Sequence, residues 1–352
     1  MKKIAVIPGD GIGNETVPVA LEVLRSLALP LEFEEFPYGA EHYLATGEVL
    51  SDESLEKLGE FNAIFLGAVG DPRVKPGVLE RGLLLKLRFH FDMYVNLRPA
   101  KLIDERFTPL KGRRAGDIDV VFVRENTEGL YSGAGGFLHR GTEDEVAVQE
   151  MLNTYRGTER VIRFAFEYAK THGRRSVTLC DKSNVLVYSH DLWQRVFRKI
   201  GAEYSEVEKR HEYVDALAMK LVRNPESFDV IVTPNLFGDI LTDLAAEIVG
   251  GLGLAASGNI NPQGLSMFEP VHGSAPDIAG KGVANPLATV LAAAMMLDFL
   301  GFEEQAKAVE LAVESAVRQG KVTPDMGGTL HTEEVGKYLA KFLEDDENAI
   351  WF

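Results

Sequence analysis

Along most of this chain, short apolar runs alternate with longer stretches in which apolar positions recur every three to four residues. That alternation reads as buried strands followed by amphipathic helices. The first repeat of the pattern is a strand at residues 3–8, a turn at Gly9-Asp10-Gly11-Ile12-Gly13, a helix at 14–27 and a strand at 31–36. Ser51 stands as the N-cap of the next helix, with Asp52 and Glu53 in its first turn, where the helix dipole favours negative charge. Position 54 is Ser, so a simple cap is expected and not a capping box. Further buried strands are expected at 63–66, 93–97, 120–123, 176–180 and 230–232, and helices at 79–88, 154–171 and 192–200 and from Val214 and Asn235. Residues 145–153 alternate as a strand of an antiparallel arm. Residues 255–262 read as loop. Asn285-Pro286 opens an apolar helix reaching about residue 300, and helices at 303–319 and 332–343 follow. Strands alternating with helices in this way place the chain in the α/β class. Pro99, after Arg98, marks a strand exit and a crossing between domains.

The opening βαβ pattern invites a dinucleotide-binding fingerprint, but the fingerprint fails. Gly9, Gly11 and Gly13 alternate with other residues, and Asn14 stands where the third glycine of G-x-G-x-x-G belongs. A tight strand-to-helix turn accounts for the glycines instead.

Composition narrows the partners. The chain has 352 residues, 45% hydrophobic and 26% charged, with a net charge of −16. Such an acidic chain is a poor match for nucleic acid or an anionic membrane. An anionic substrate therefore needs a local basic cluster. Cys180 is the single cysteine, which rules out a disulfide framework and a Cys-based metal site. No run approaches the roughly 18 apolar residues of a membrane helix, and the first apolar run is broken by Pro8-Gly9-Asp10. The expected location is the cytoplasm. The apolar tail Ile350-Trp351-Phe352 follows an acidic run and is either frayed or packed on a partner.

The chemistry concentrates in VIVTPNLFGDILTDLAAEIVGGLG, from Val230 to Gly253. Asp239 and Asp243 lie four apart, on one helix face. Most such pairs are solvated acidic faces. Here Leu236, Phe237, Ile240 and Leu241 predict a mostly buried helix, and buried carboxylates need a partner such as Mg²⁺. Arg88, Arg98 and Arg124 stand at or near element ends; together they suit a dianionic substrate, and singly they are surface arginines. Lys182, beside Asn184, follows a buried strand, where a lysine can approach base strength. Tyr131 is either a proton donor or a core ring. The loop from Glu269 to Asn285 has Gly, Ser and Ala for close backbone approach, His272 for adenine and Asp277 for a ribose diol, which favours NAD over NADP. A purely structural loop is the alternative.

Together these residues resemble the isocitrate/isopropylmalate (β-decarboxylating) dehydrogenase family, whose members act on 3-isopropylmalate, isocitrate, homoisocitrate and tartrate or D-malate. The resemblance runs from IAVIPGDGIG at Ile4 to TPDMGG ending at Gly328, nearly the whole chain. Its most specific pieces are NLFGDILTDLAAEIVGGLGLAASGNI from Asn235 and MFEPVHGSAPDIAGKGVANP from Met267.

The resemblance implies a two-domain α/β fold of the isocitrate/isopropylmalate dehydrogenase type, not a Rossmann fold. Residues 1–98 and 253–352 would form a discontinuous cofactor domain, and 99–252 the substrate, metal and dimerisation domain. It implies a homodimer. Asp239 and Asp243, with Asp215 from the other subunit, would bind Mg²⁺ or Mn²⁺. Arg88, Arg98 and Arg124 would grip the carboxylates of a small malate-type dicarboxylate. Lys182, reaching across the dimer, would take the hydroxyl proton, and Tyr131 would help protonate the enol. Asn184 would meet the nicotinamide end of NAD, and Glu269, His272, Gly273, Ser274, Ala275, Asp277, Ile278 and Asn285 would line its site. Asp277-Ile278 replace the Lys-Tyr of NADP-using isocitrate enzymes, so NAD is expected.

Specificity would rest on Glu80, Leu83 and Leu84 beside the C3 group. Consecutive leucines favour an isopropyl substituent, and so 3-isopropylmalate, oxidised and decarboxylated to 2-oxoisocaproate in leucine biosynthesis. GLLLKLR and RENTEGLYS also resemble tartrate/D-malate dehydrogenases, which remain the alternative ahead of homoisocitrate or isocitrate.

Overall fold

The computed structural model describes residues 1–345; the tail Ile350-Trp351-Phe352 lies outside the described residues. Among the described residues the strands are β1 (Lys2–Gly9), β2 (Leu31–Glu35), β3 (Ala63–Ala68), β4 (Val95–Lys101), β5 (Asp119–Glu125), β6 (Gly135–Leu138), β7 (Val146–Gln149), β8 (Ser176–Asp181), β9 (Glu208–Tyr213), β10 (Val230–Thr233), β11 (Ala256–Ile260) and β12 (Met267–Pro270). The α-helices are α1 (Gly13–Ser26), α2 (Ala40–Thr46), α3 (Asp52–Leu58), α4 (Lys86–His90), α5 (Tyr155–Thr171), α6 (Ser189–Gly201), α7 (Val214–Arg223), α8 (Asn235–Val249), α9 (Leu287–Phe299), α10 (Glu303–Arg318) and α11 (Thr332–Glu344). A π-helical turn, Glu80–Leu85, runs directly into α4.

The chain forms two compact units. The first takes Met1–Met93, Leu102–Gly116 and the chain from Ala246 onward; the second takes Tyr94–Lys101 and Asp117–Ala245. The chain passes between the units at 93/94, 101/102, 116/117 and 245/246. The segment Leu102–Gly116 returns to the first unit, an excursion that its sequence pattern does not announce.

In the first unit the strands lie in the order β2-β1-β3-β12-β11. All pair in parallel except β11 with β12. Ile4 to Ile7 of β1 and Ile64 to Leu66 of β3 are fully buried. One face of this sheet packs against Leu79, Leu83 and Leu87, three leucines at successive turns of the π-helical segment and α4. Gly9 lies at φ +74°, and a Cβ there would sit 2.0 Å from the Ala68 carbonyl oxygen, so only glycine lets the turn close on β3. Ser51 caps α3 as expected, its hydroxyl accepting from the Ser54 N–H at 3.0 Å. β11 corrects the sequence reading: ASGNI is a buried strand, not loop. Its small and polar residues carry none of the β-branched signal on which such a reading depends.

In the second unit the order is β4-β5-β10-β8-β9. β4 and β5 are antiparallel and the others parallel. Pro99 does not end β4; it sits within the strand opposite Val121, and the strand runs on to Lys101. Helices α5 and α6 bury Phe166 and Trp193. Thr154 caps α5, accepting from the Gly157 N–H at 2.9 Å. β6 and β7 form the expected antiparallel arm, a two-stranded ribbon with every residue exposed. Cys180 in β8 has no accessible surface, and burial pushes its thiol up to about 12.

Candidate active site

Strand register assembles the first group of candidate residues, in the second unit. Arg124 pairs with Asn96 across β4–β5, and Arg98 pairs with Phe122. Side chains alternate faces along a strand, so both arginines project from the same face. Arg124 also lies beside Thr233 at the end of β10, from which the chain turns into α8. There Arg124 Nη1 donates to Asp239 Oδ1 at 2.5 Å, and its Nε and Nη2 both donate to Asn235 Oδ1, at 3.1 and 2.8 Å. Gly238 makes room: a Cβ there would meet Arg124 Cγ at 2.5 Å. Arg98 Nη1 donates to Thr242 Oγ1 at 2.6 Å and lies 3.6 Å from Asp243 Oδ1, while its Nη2 lies 3.6 Å from Asp239 Oδ1. Tyr131 donates to Asp239 Oδ2 at 2.6 Å, with Arg124 over its ring.

Arg98, Arg124, Tyr131, Asp239 and Asp243 thus meet at the start of α8. Arg98 and Arg124 are buried, so their charge is balanced by carboxylates rather than by water. The helix is less enclosed than expected. Leu241 is buried and Leu236 and Phe237 are half-buried, but Ile240 is 60% exposed. Asn235 is the first residue of α8. Its amide group holds Arg124 and donates to the Glu128 carbonyl at 3.1 Å.

The second group lies at the C-terminal ends of β8 and β9, which run in parallel with Asp181 beside Tyr213. Lys182 and Asp215 follow these strand ends, and Lys182 Nζ donates to Asp215 Oδ1 at 2.6 Å. That hydrogen bond holds the Asp215 carboxyl below its ordinary range. The Lys182 backbone N–H donates to Nδ1 of the fully buried His190 at 2.8 Å. His190 packs edge-on against Phe237 of α8. Asp181 is buried, which raises its pKa, but bonds from His211, Ser183 and Gln194 outweigh this and hold it ionised. Asn184 is exposed. Asp215 is not brought beside Asp239 and Asp243: among the described residues, no three His, Cys, Asp or Glu side chains gather as a metal-ligand set within the chain.

The third group belongs to the first unit. Arg88 is buried in α4, its Nη2 donating to Glu269 Oε1 at 3.0 Å. Glu269 also accepts from Asn259 at 2.8 Å, so its carboxylate is the counter-ion of Arg88 before any ligand arrives. Arg88 Nε is buried with no hydrogen-bond partner, a donor left over for an anion. Glu80 is exposed and Leu84 is half-buried against the core. Leu83 has no accessible surface and belongs to that core, so in this conformation it backs the segment rather than facing a ligand.

In the loop after β12, His272 Nδ1 lies 3.0 Å from the Gly273 carbonyl and so carries the proton. Nε2 remains a buried acceptor without a partner, and burial holds the ring below its ordinary pKa. An amino group such as that of adenine would satisfy this atom. Ser274 and Asn285 are buried, Ala275 adopts φ +40°, Gly273 and Asp277 are exposed and Ile278 is half-buried. Asn285 Oδ1 accepts from the Leu287 N–H at 3.0 Å, at the start of α9.

Residues 3–339 match the family model described as isocitrate/isopropylmalate dehydrogenase. The chain belongs to that family. It is accordingly a decarboxylating dehydrogenase, with the α/β fold of the isocitrate/isopropylmalate dehydrogenase type. Among its relatives, a 3-isopropylmalate dehydrogenase of Thermobifida fusca is 52% identical over 345 residues, covering 96% of this chain and 97% of that protein. One of Streptomyces griseus is 54% identical over 344 residues, with 96% and 97% covered. Among solved structures, an isocitrate dehydrogenase from Methylococcus capsulatus superposes with a TM-score of 0.91 at 38% identity, covering 98% of this chain and all of that one. A beta-decarboxylating dehydrogenase from Thermococcus kodakarensis gives 0.83 at 39% identity, with 100% and 99% covered.

Asn235, Thr242 and His190 hold other site residues and were not singled out by sequence. Asn235 meets Arg124, 111 positions away, a pairing that no local pattern announces.

Proposed function

We propose that this dehydrogenase oxidises and decarboxylates 3-isopropylmalate to 2-oxoisocaproate, the leucine-biosynthetic reaction, using NAD⁺ and Mg²⁺ or Mn²⁺ in the cytoplasm. The observation that carries the substrate is the identity of more than half, over nearly full length, to relatives that bear this name. The grouping of Arg98, Arg124, Tyr131, Asp239 and Asp243 supports the chemistry.

Asp239 and Asp243 offer the hard carboxylate oxygens that these cations take, and Asp215 of a second subunit completes the set. The buried, unpartnered Nε2 of His272 and the Gly273–Ala275 backbone fit a dinucleotide. When bound, the cation supplies Lewis-acid polarisation of the C2 oxygen, and NAD⁺ supplies the hydride acceptor. Arg98 and Arg124 orient the substrate carboxylates, with Arg88 as a third cation. Lys182, as the neutral amine, receives the proton of the C2 hydroxyl on Nζ. Tyr131, its O–H aimed at this carboxylate group, returns a proton at C3 once CO₂ has left. Glu80 and Leu84 stand by the C3 substituent, and Asn184 by the nicotinamide.

A homodimer follows from the same reading. The β6–β7 ribbon is exposed throughout, and two strands alone are marginal in water. Val185, Met219, Val222 and Ile240 add exposed apolar surface. A second subunit would cover these residues and receive Lys182 and Asp215.

The test is NADH formation with Mg²⁺, comparing kcat/KM for 3-isopropylmalate, D-malate, tartrate, isocitrate and homoisocitrate. We expect 3-isopropylmalate to lead by more than about tenfold, or ~1.4 kcal/mol. A lead for D-malate or tartrate would sink the substrate assignment and leave the mechanism. The core position of Leu83 favours that second reading, because it removes one leucine from the pocket wall.

A further inference from the structure

The opening turn, Gly9 to Gly13, remains without a role in the reaction. It lies against the loop after β12: the Ile12 N–H donates to the Ser274 carbonyl at 2.9 Å, and a Cβ on Gly11 would sit 2.1 Å from that oxygen. Two residues further into α1, Glu15 reaches the other end of the same loop. Its Oε2 accepts from the Gly282 N–H at 2.9 Å, and its Oε1 accepts from the Gly280 N–H.

We propose that Glu15 is a positioning residue for the cofactor loop, setting where Asp277 and Ile278 stand before NAD⁺ binds. This rests on the reading that the loop takes NAD⁺. Both donors come from glycines with left-handed backbone, φ +79° at Gly280 and +66° at Gly282, and this conformation lets the two N–H groups converge on one carboxylate. Hydrogen bonds to an ionised acceptor are about twice as strong as neutral ones. The first turn of α1 is also where a helix dipole favours a carboxylate.

Other ties flank the clamp. The start of α11 holds the loop's exit, with the Thr332 N–H on the Gly282 carbonyl at 2.9 Å and the Thr332 hydroxyl on the Ala284 carbonyl at 2.7 Å. Ile12 holds its entry at Ser274. Between the two, one turn closes on the Ala275 carbonyl, which accepts from the N–H groups of Ile278 and Ala279 at 3.1 and 3.2 Å. That turn carries Asp277 and ends where Glu15 takes hold. Without the carboxylate, what holds residues 276–281 among the described hydrogen bonds is local: this turn and the Lys281 N–H on the Ile278 carbonyl at 3.2 Å. The alternating glycines that fail as a phosphate cradle are thus the base of a bracket that holds the cofactor loop.

The test compares the parent with Glu15→Ala, Glu15→Gln and, in the loop itself, Asp277→Ala. In the free protein, amide hydrogen exchange at Gly280 and Gly282 should quicken at least tenfold in Glu15→Ala and less in Glu15→Gln, which keeps one acceptor oxygen. By calorimetry, NAD⁺ binding should weaken about tenfold in Glu15→Ala and by an intermediate factor in Glu15→Gln. The KM for NAD⁺ should rise in step, with kcat at saturating NAD⁺ and the KM for 3-isopropylmalate within twofold of the parent. Unchanged NAD⁺ binding in both Glu15 variants, with weakened binding in Asp277→Ala, overturns the clamp alone. Unchanged binding in all three overturns the cofactor loop as well. Equal losses for NAD⁺ and 3-isopropylmalate in Glu15→Gln would mean general damage and also overturn a positioning role.

Discussion

His190 has no accessible surface, and its Nδ1 accepts the backbone N–H of Lys182. Burial pushes its pKa down to about 4 from 6.5. As pH falls through 6.5 the unfolded chain takes up a proton on this ring, while the folded chain stays neutral until about 4. Stability from this residue is therefore complete above 6.5 and is lost as pH falls toward 4, by up to ~3 kcal/mol. His190→Asn keeps an acceptor for Lys182 and removes the titration. Urea unfolding at pH 7 and pH 4.5 should show a smaller loss of stability in His190→Asn than in the parent; equal losses would count against it. Nothing in the sequence around His190 signals this role. Asp239 and Asp243 were legible, because helical spacing alone puts them on one face. Arg124 was legible as a strand-end cation, whereas Arg98 lies in the middle of β4, and their common face follows from a register that only the folded sheet fixes.

At the level of elements, strongly periodic segments such as α1, α5 and α10 lie within a residue or two of their expected bounds. Departures occur where burial is not matched by apolar character, as in β11, or where a helix is not α-helical. The segment expected as one helix at 79–88 opens with a π-turn, a form often found at functional sites. Gly82 lies inside it against Val49, and an added Cβ would stand 2.8 Å from both Val49 Cβ and Cγ2. Gly82→Ala should force the segment outward. Overpacking of this kind costs roughly 1–3 kcal/mol. We expect a lower melting temperature together with a changed ratio of kcat/KM between 3-isopropylmalate and D-malate. A variant with the parent's stability would show that Val49 yields freely.

At the scale of the molecule, a net charge of −16 coexists with buried arginines, Arg88 in the first unit and Arg98 and Arg124 in the second. The acidity and three arginines at or near element ends were visible in the sequence and together pointed to an anionic substrate; the burial of the arginines was not. The division into units was less legible, because Leu102–Gly116 is largely irregular and irregular chain has no periodicity to follow. Sedimentation of the parent should give a dimer. Met219, 68% exposed, and Val148 in the arm are the positions to charge. Met219→Glu with Val148→Glu should yield monomers that retain the fold but lose nearly all turnover. Full activity in a monomer would exclude sharing of Lys182 and Asp215 between subunits.

The lone thiol, Cys180, sits in β8 directly before Asp181 and Lys182, sealed from solvent and poorly ionised. A thiol-specific dye has no other target in this chain. Its rate of incorporation under native conditions is therefore a clock for the opening of β8. Slowing of that clock by added substrate or metal would measure, without any turnover, how firmly each ligand locks the strand that carries the lysine.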